Sequence, residues 1–164
     1  MADQATRVLL IEGNPGGTDL VRSRLGDGNC GVDLSCAGKL SDALESMRLK
    51  LPDVILLELN LPDSRGAETF RAVLDEAPHV PVVILSAEQD EELAIKALHQ
   101  GVQDYLVKSE ITSKHLERAM RYAVERQALL RSLEVSRKQH EYSERAARTS
   151  CWRQCTMTRG DHQE

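Results

Sequence analysis

The sequence predicts an α/β fold, a doubly wound parallel sheet in which five strands alternate with five helices. Three observations carry this. Short apolar runs of the kind buried on both faces of a parallel sheet occur at residues 7–11, 54–57, 82–85 and 105–107. Segments with apolar residues at helical spacing lie between them. Each of the four runs stops on a polar residue: Glu12, Glu58, Ser86 and Lys108.

Taken in order, RVLLI is a first buried strand, followed by a glycine-rich turn at residues 13–17. A helix over 18–25 carries Leu20, Val21 and Leu25 on one side, and Asp27-Gly28-Asn29 breaks it. Val32, Leu34 and Cys36 alternate with Asp33 and Ser35, the pattern of a half-exposed edge strand. Ser41 is placed to cap the next helix, with Glu45 within reach of the cap. Val54-Ile55-Leu56-Leu57 is the most apolar strand and ends on Glu58, with Leu61-Pro62 and Gly66 turning the chain away. Phe70, Val73 and Leu74 mark a helix over 67–76, closed by Pro78. The strand at 82–85 leads to a helix over 91–99, and Gly101 stands where a left-handed C-terminal residue belongs. A final strand, Tyr105-Leu106-Val107, precedes a helix from Ser113.

Bulk properties narrow the function. The 164 residues suffice for one ordinary core plus an appendage. A net charge of −5 argues against a dedicated nucleic-acid binder, which needs a basic face. Aromatics at 3% imply a core of Leu, Val, Ile and Ala. No run approaches the ~18 apolar residues of a membrane span, and MADQATR lacks a signal-peptide apolar region. Four cysteines without framework spacing fit a reducing setting, so the expected location is the cytoplasm.

Right-handed crossovers between parallel strands bring the strand ends to one edge of the sheet. Two carboxylates, a hydroxyl and an ammonium therefore converge where ligands of open α/β sheets collect. With the stretches RVLLIEGN, DVILLELNLPDSRG, PVVILSA and DYLVK, the sequence resembles the receiver domains of two-component response regulators over residues 5–126. The resemblance implies a flavodoxin-like fold with strand order 2-1-3-4-5 and phosphorelay signalling. Such domains take a phosphoryl group onto an aspartate with Mg²⁺, then reshape the face formed by the fourth helix, fifth strand and fifth helix. It further implies that Ser86 and Lys108 contact the phosphoryl group and that Tyr105 is the switch aromatic. The Asn60 carbonyl and Glu12 become metal-ligand candidates, and Pro62 and Gly66 the loop behind the site.

Two positions depart from that pattern: Glu58 stands at the phosphoacceptor aspartate, and Gly13 at the second metal-ligand acid. Mg²⁺ needs near-ideal octahedral oxygen ligands, and an extra methylene moves the carboxylate by roughly 1 Å, which can cost about a hundredfold in rate. The expectation is a pseudo-receiver, not an enzyme, without a firmly expected cofactor, whose Glu58, Glu12 and Asn60 form at most a weak Mg²⁺ site. Glu58 is then either an incomplete imitation of a phosphoryl group, reaching Lys108 and Ser86, or an inert acid on a docking platform. Tyr105 reads equally as half-buried packing on an edge strand. Ser109 follows Lys108 where many receivers have proline; a cis bond there would cost about 3–4 kcal/mol, so trans is expected.

Two alternatives stand beside this. A receiver still weakly phosphorylated with Mg²⁺ differs only in degree. A mononucleotide or flavin binder would use the loop at 13–17 at a helix N-terminus, but that loop is neither GxGxxG nor GxxxxGK[ST]. Expected partners are a sensor histidine kinase or another signalling protein, with no nucleic-acid or membrane contact. A homodimer could form through the fourth-helix to fifth-helix face or the last helix. There Leu116, Ala123 and Leu130 recur at seven with Ala119 and Leu133 alongside, short of the three or four heptads of a coiled coil. Residues 127–148 read as a helical extension or linker; a helix over 113–148 would span ~54 Å. Residues 149–164 are expected to be a disordered tail, in which Cys151, Cys155 and His162 make a weak metal motif.

Overall fold

A computed structural model describes residues 5–26 and 31–157, by backbone alone from residue 150 onward. Five parallel strands, β1 (Thr6–Ile11), β2 (Val32–Ala37), β3 (Val54–Leu57), β4 (Val82–Ser86) and β5 (Asp104–Val107), form one sheet in the order 2-1-3-4-5. Helices α1 (Pro15–Leu25), α2 (Leu40–Leu49), α3 (Ala67–Glu76), α4 (Glu91–His99) and α5 (Ser113–Met157) alternate with them. This is the flavodoxin-like doubly wound sheet with a long C-terminal helix.

The two-residue period of a strand divides the core into two layers. Leu9, Ile11, Ile55, Leu57 and Ile84 point to one face, where Met47 of α2 and Phe70 and Val73 of α3 cover them. Val8, Leu10, Val54, Leu56, Val83 and Leu85 point to the other, against Val21 and Leu25 of α1 and Leu116, Met120 and Ala123 of α5. Each fully buried aliphatic side chain contributes about 1.5–3 kcal/mol, so register is strongly enforced. Val8 lies opposite both Leu34 and Val54, and a one-residue slip would exchange the layers. At the N-terminal edge Asp53 accepts from the backbone N–H of Arg7 and, at 2.8 Å, from its guanidinium, tying β1 to β3. That guanidinium holds the Asp53 carboxyl below the usual carboxylate range, against the opposing effect of burial.

Several elements depart from expectation. α1 starts at Pro15, not Thr18: Asn14 is its N-cap, accepting from the Gly16 N–H at 2.9 Å, and proline fits the first helical position because no donor is needed there. Ser41 does not cap α2, which begins one residue earlier. Lys39 at the cap position offers no side-chain bond, and Asp63 reaches back to accept from the N–H groups of Leu40 (2.8 Å) and Ser41 (3.0 Å). Cys36 is exposed, so the alternation of β2 fails at its end.

Asp63 sits in the turn of a two-residue hairpin, Asn60–Leu61 against Ser64–Arg65, that follows β3. The N–H groups of Ser41 and then Leu40 hold its carboxyl below the ordinary range. Its contribution is therefore present above the unfolded carboxylate pKa and fades as pH falls through the depressed folded value. Replacing Asp63 by Ala is expected to cost about 1 kcal/mol at pH 7. In urea titrations the difference from wild type should shrink toward pH 3.

α4 is capped by Asp90 on the Leu93 N–H at 2.9 Å, and Gly101 adopts φ +109° beyond its end, as its position predicts. No described peptide bond is cis, including Lys108–Ser109.

The last helix runs on to Met157, so the first part of the expected disordered tail is helical. The physical reason is local: residues 149–157 contain neither Gly nor Pro, and the first stop signal is Gly160. The side chains of Cys151 and Cys155, and His162 itself, lie outside the described residues. The heptad seam also divides. Leu116, Ala119 and Ala123 are buried in the second core layer, whereas Leu129, Leu130 and Leu133 are exposed. The first heptad is therefore core and is not available to a partner helix. The chain separates into two compact units, residues 1–127 and 128–164. Among the described residues, no helix is long and apolar enough to cross a membrane.

Candidate functional site

All four polar residues that end the buried strands stand at the C-terminal edge of the sheet, Glu12 after β1, Glu58 after β3, Ser86 closing β4 and Lys108 after β5. Glu12, Glu58 and Ser86 are each at most 6% exposed, which for two carboxylates demands compensation. Lys108 provides it. Its ammonium lies between the two acids, paired with Oε2 of Glu12 and, at 2.5 Å, with Oε2 of Glu58.

The remaining carboxylate oxygens are engaged by backbone. Oε1 of Glu12 accepts from the Asn14 N–H at 2.8 Å. Oε1 of Glu58 accepts from the N–H groups of Leu59 (2.8 Å) and Asn60 (3.0 Å). These amides are presented by the tight exit from β3, fixed in turn by Thr69 Oγ1 and the Gly66 N–H, both donating to the Leu59 carbonyl. Gly66 holds φ +60° and ψ −132°, open essentially to glycine alone. Burial pulls the Lys108 ammonium down, but hydrogen bonds and charge from Glu12 and Glu58 outweigh it and raise its pKa above the ordinary lysine value. All four carboxylate oxygens are thus occupied, with one cation shared between two acids.

Ser86 and Tyr105 are near this cluster in the chain order of the sheet but are tied elsewhere. Ser86 Oγ accepts from the Glu88 N–H at 3.2 Å, and the Tyr105 hydroxyl donates to the Glu88 carbonyl at 3.3 Å. The expectation that Glu58 would reach both Lys108 and Ser86 is therefore corrected: its free oxygen is taken by Lys108, and Ser86 turns to the loop after β4. Tyr105, on the edge strand β5, is half-buried against the first core layer.

The donor set does not suit a hexacoordinate Mg²⁺. Among the described residues, no three of His, Cys, Asp and Glu are grouped to hold a metal. A divalent ion would have to displace the Lys108 ammonium, and Gly13 adds no ligand. A Cβ at Gly13 would lie 2.8 Å from Pro62 Cδ and 3.3 Å from the Gly38 carbonyl, so the position is closed by packing as well. The N-terminus of α1, where a nucleotide phosphate would sit, is filled from within by Asn14 and Glu12.

The sequence model of the response regulator receiver domain family matches residues 8–121. The chain belongs to this family. Its relatives include the luminescence regulatory protein LuxO of Vibrio campbellii, 38% identical over 78 residues. That match covers 48% of this chain and 17% of LuxO, so the chain spans a small part of that relative's length. The glycerol metabolism activator of Pseudomonas putida is 31% identical over 104 residues, covering 63% of this chain and 47% of the activator. Among solved structures, the signal receiver domain of a LuxO repressor protein described as putative, from Vibrio parahaemolyticus, superposes with a TM-score of 0.68 at 25% identity. The superposition covers 79% of this chain and 97% of that domain. The signal receiver domain of NarL from Mycobacterium tuberculosis, a response regulator likewise described as putative, gives 0.65 at 26% identity, covering 74% and 98%. This receiver domain is accordingly a module of two-component signalling.

Proposed function

We propose that this receiver domain is a pseudo-receiver, signalling through protein–protein contact without taking up a phosphoryl group. The observation that carries the reading is the internal neutralisation of its acidic pair by Lys108, with every carboxylate oxygen already occupied. Glu58, at the phosphoacceptor position of the resemblance, is a poor nucleophile here because it is locked by two backbone donors and an ammonium. Mg²⁺ would have to displace the Lys108 ammonium from both acids, and Gly13 adds no ligand.

Glu58 imitates a phosphoryl group only in part. It engages Lys108 as such a group would, but it leaves Ser86 and Tyr105 on the Glu88 backbone. In this arrangement Ser86 and Tyr105 both hold the loop after β4 through Glu88, and the face formed by α4, β5 and α5 would be presented to a partner in that form. Ile95 and Leu98 of α4 are 56% and 45% exposed and belong to that face. Its partner would be a sensor histidine kinase or another signalling protein, and the domain would act as a docking element and not as an enzyme.

Incubation with acetyl phosphate or phosphoramidate and Mg²⁺, followed by intact-mass spectrometry, should leave the wild-type mass unchanged. A stoichiometric acyl phosphate on Glu58 would overturn the proposal and favour the weakly phosphorylated alternative.

A further inference from the structure

The carboxylate of Glu12 does not simply lie beside α1; it occupies the space where a side chain of that helix would be. A Cβ built on Gly17, in the first turn of α1, would stand 2.5 Å from Glu12 Cδ, 3.0 Å from its Cγ, and closer still to Oε2, the oxygen that Lys108 holds. No real Cβ tolerates such contacts, so any residue but glycine at 17 would force the carboxylate out of its place. Gly16, its neighbour in the same turn, shows the contrast. A Cβ there meets only Asn14 Oδ1, at an ordinary 3.4 Å. Neither glycine is among those with positive φ, so neither is required by its backbone conformation. Glycine in a helix lowers stability relative to alanine. Gly17 therefore carries a cost that helix formation does not explain, and the contact with Glu12 does.

We infer that Gly17 is a positioning residue: the absent side chain lets Glu12 fold onto Lys108, and this closes the site around an internal ammonium in place of a bound divalent cation. The inference rests on the pseudo-receiver reading and names the feature that enforces it. The resemblance draws attention to Glu58 and Gly13; Gly17 enters only through the geometry of Glu12. It acts through Glu12 alone, because Glu58 is held by the Leu59 and Asn60 amides on the far side of Lys108.

The test compares wild type, Gly16→Ala and Gly17→Ala by amide hydrogen exchange and thermal unfolding. In wild type and Gly16→Ala the Asn14 amide, which donates to Glu12 Oε1, should be protected. In Gly17→Ala it should exchange about tenfold faster, the scale of one lost hydrogen bond, with the Leu59 and Asn60 amides unchanged. Gly16→Ala should keep or raise Tm and Gly17→Ala should lower it. In a Glu12→Ala background, where nothing opposes a Cβ at 17, the same Gly17→Ala change should be neutral or raise Tm. If Gly17→Ala fails to fold while Glu12→Ala/Gly17→Ala folds, the steric coupling is supported. Unchanged Asn14 protection in Gly17→Ala, an equal Tm loss in both backgrounds, or failure of both variants to fold would overturn the inference. Each of these outcomes is distinct from phosphorylation of the wild type, which would overturn the pseudo-receiver reading instead.

Discussion

Replacing Lys108 by Met should lower stability at pH 7 by about 3–5 kcal/mol, the scale of removing one member of a buried ion pair. Methionine keeps much of the apolar stem, so the loss isolates the ammonium. Without it, Glu12 and Glu58 are left facing each other, each at most 6% exposed, with only backbone amides to hold them. Urea titrations of variant and wild type at pH 7 check this. A loss under about 1 kcal/mol would place the bridge in the class of solvent-screened pairs. The wild type has a pH dependence of its own through this bridge. Its Lys108 pKa is raised, so the stabilisation is fully present below the ordinary lysine value and is lost only as pH rises through the higher folded one. The bridge is thus intact across neutral pH.

Gly13→Asp is the second large effect. The change supplies the acid that the receiver resemblance implies at this position, yet it should destabilise by about 1–3 kcal/mol, the usual cost of overpacking. The new Cβ would sit 2.8 Å from Pro62 Cδ, a ring atom that cannot rotate aside. Its carboxylate would also join two others around a single lysine. Combining it with Pro62→Ala, which removes Cδ and Cγ, should return a measurable part of the loss. Sites in direct contact couple in this way, and a double-mutant cycle read from urea midpoints measures it. Additive losses would mean that charge, and not packing, bars an acid at 13. Adding Glu58→Asp to Gly13→Asp would leave this obstacle in place, since Pro62 still closes the space.

What could be read from the sequence was whatever is written locally. The apolar runs of β1, β3, β4 and β5 and the polar residue ending each one gave the sheet, its order through the family resemblance, and the convergence of Glu12, Glu58 and Lys108. Gly101 was legible because one position demands a left-handed conformation. The start of α1 was legible too, in the Asn14-Pro15 pair of cap and first helical residue, but the surrounding glycines read as a turn and masked it. What could not be read depends on residues distant in sequence. Asp63 caps α2 from 23 positions away, outcompeting the nearer Ser41. Pro62 over Gly13 is likewise a meeting of two loops. The seam of α5 misled because periodicity says that a face is apolar without saying what covers it: for Leu116, Ala119 and Ala123 the cover is the sheet itself. The partners of Ser86 and Tyr105 belong to the backbone of Glu88, which no side-chain pattern encodes.

The division of the chain at residue 128 also decides how these variants can be watched. The only tryptophan, Trp152, falls in the 128–164 unit, far along the chain from every residue of the acidic pair. Far-UV circular dichroism is weighted toward a helix of 45 residues. Two tyrosines, Tyr105 and Tyr122, belong to the first unit, and Tyr105, whose hydroxyl rests on Glu88, lies on the strand that leads to Lys108. Near-UV signals from tyrosine, or an indole introduced into the first unit, are the optical probes suited to this site.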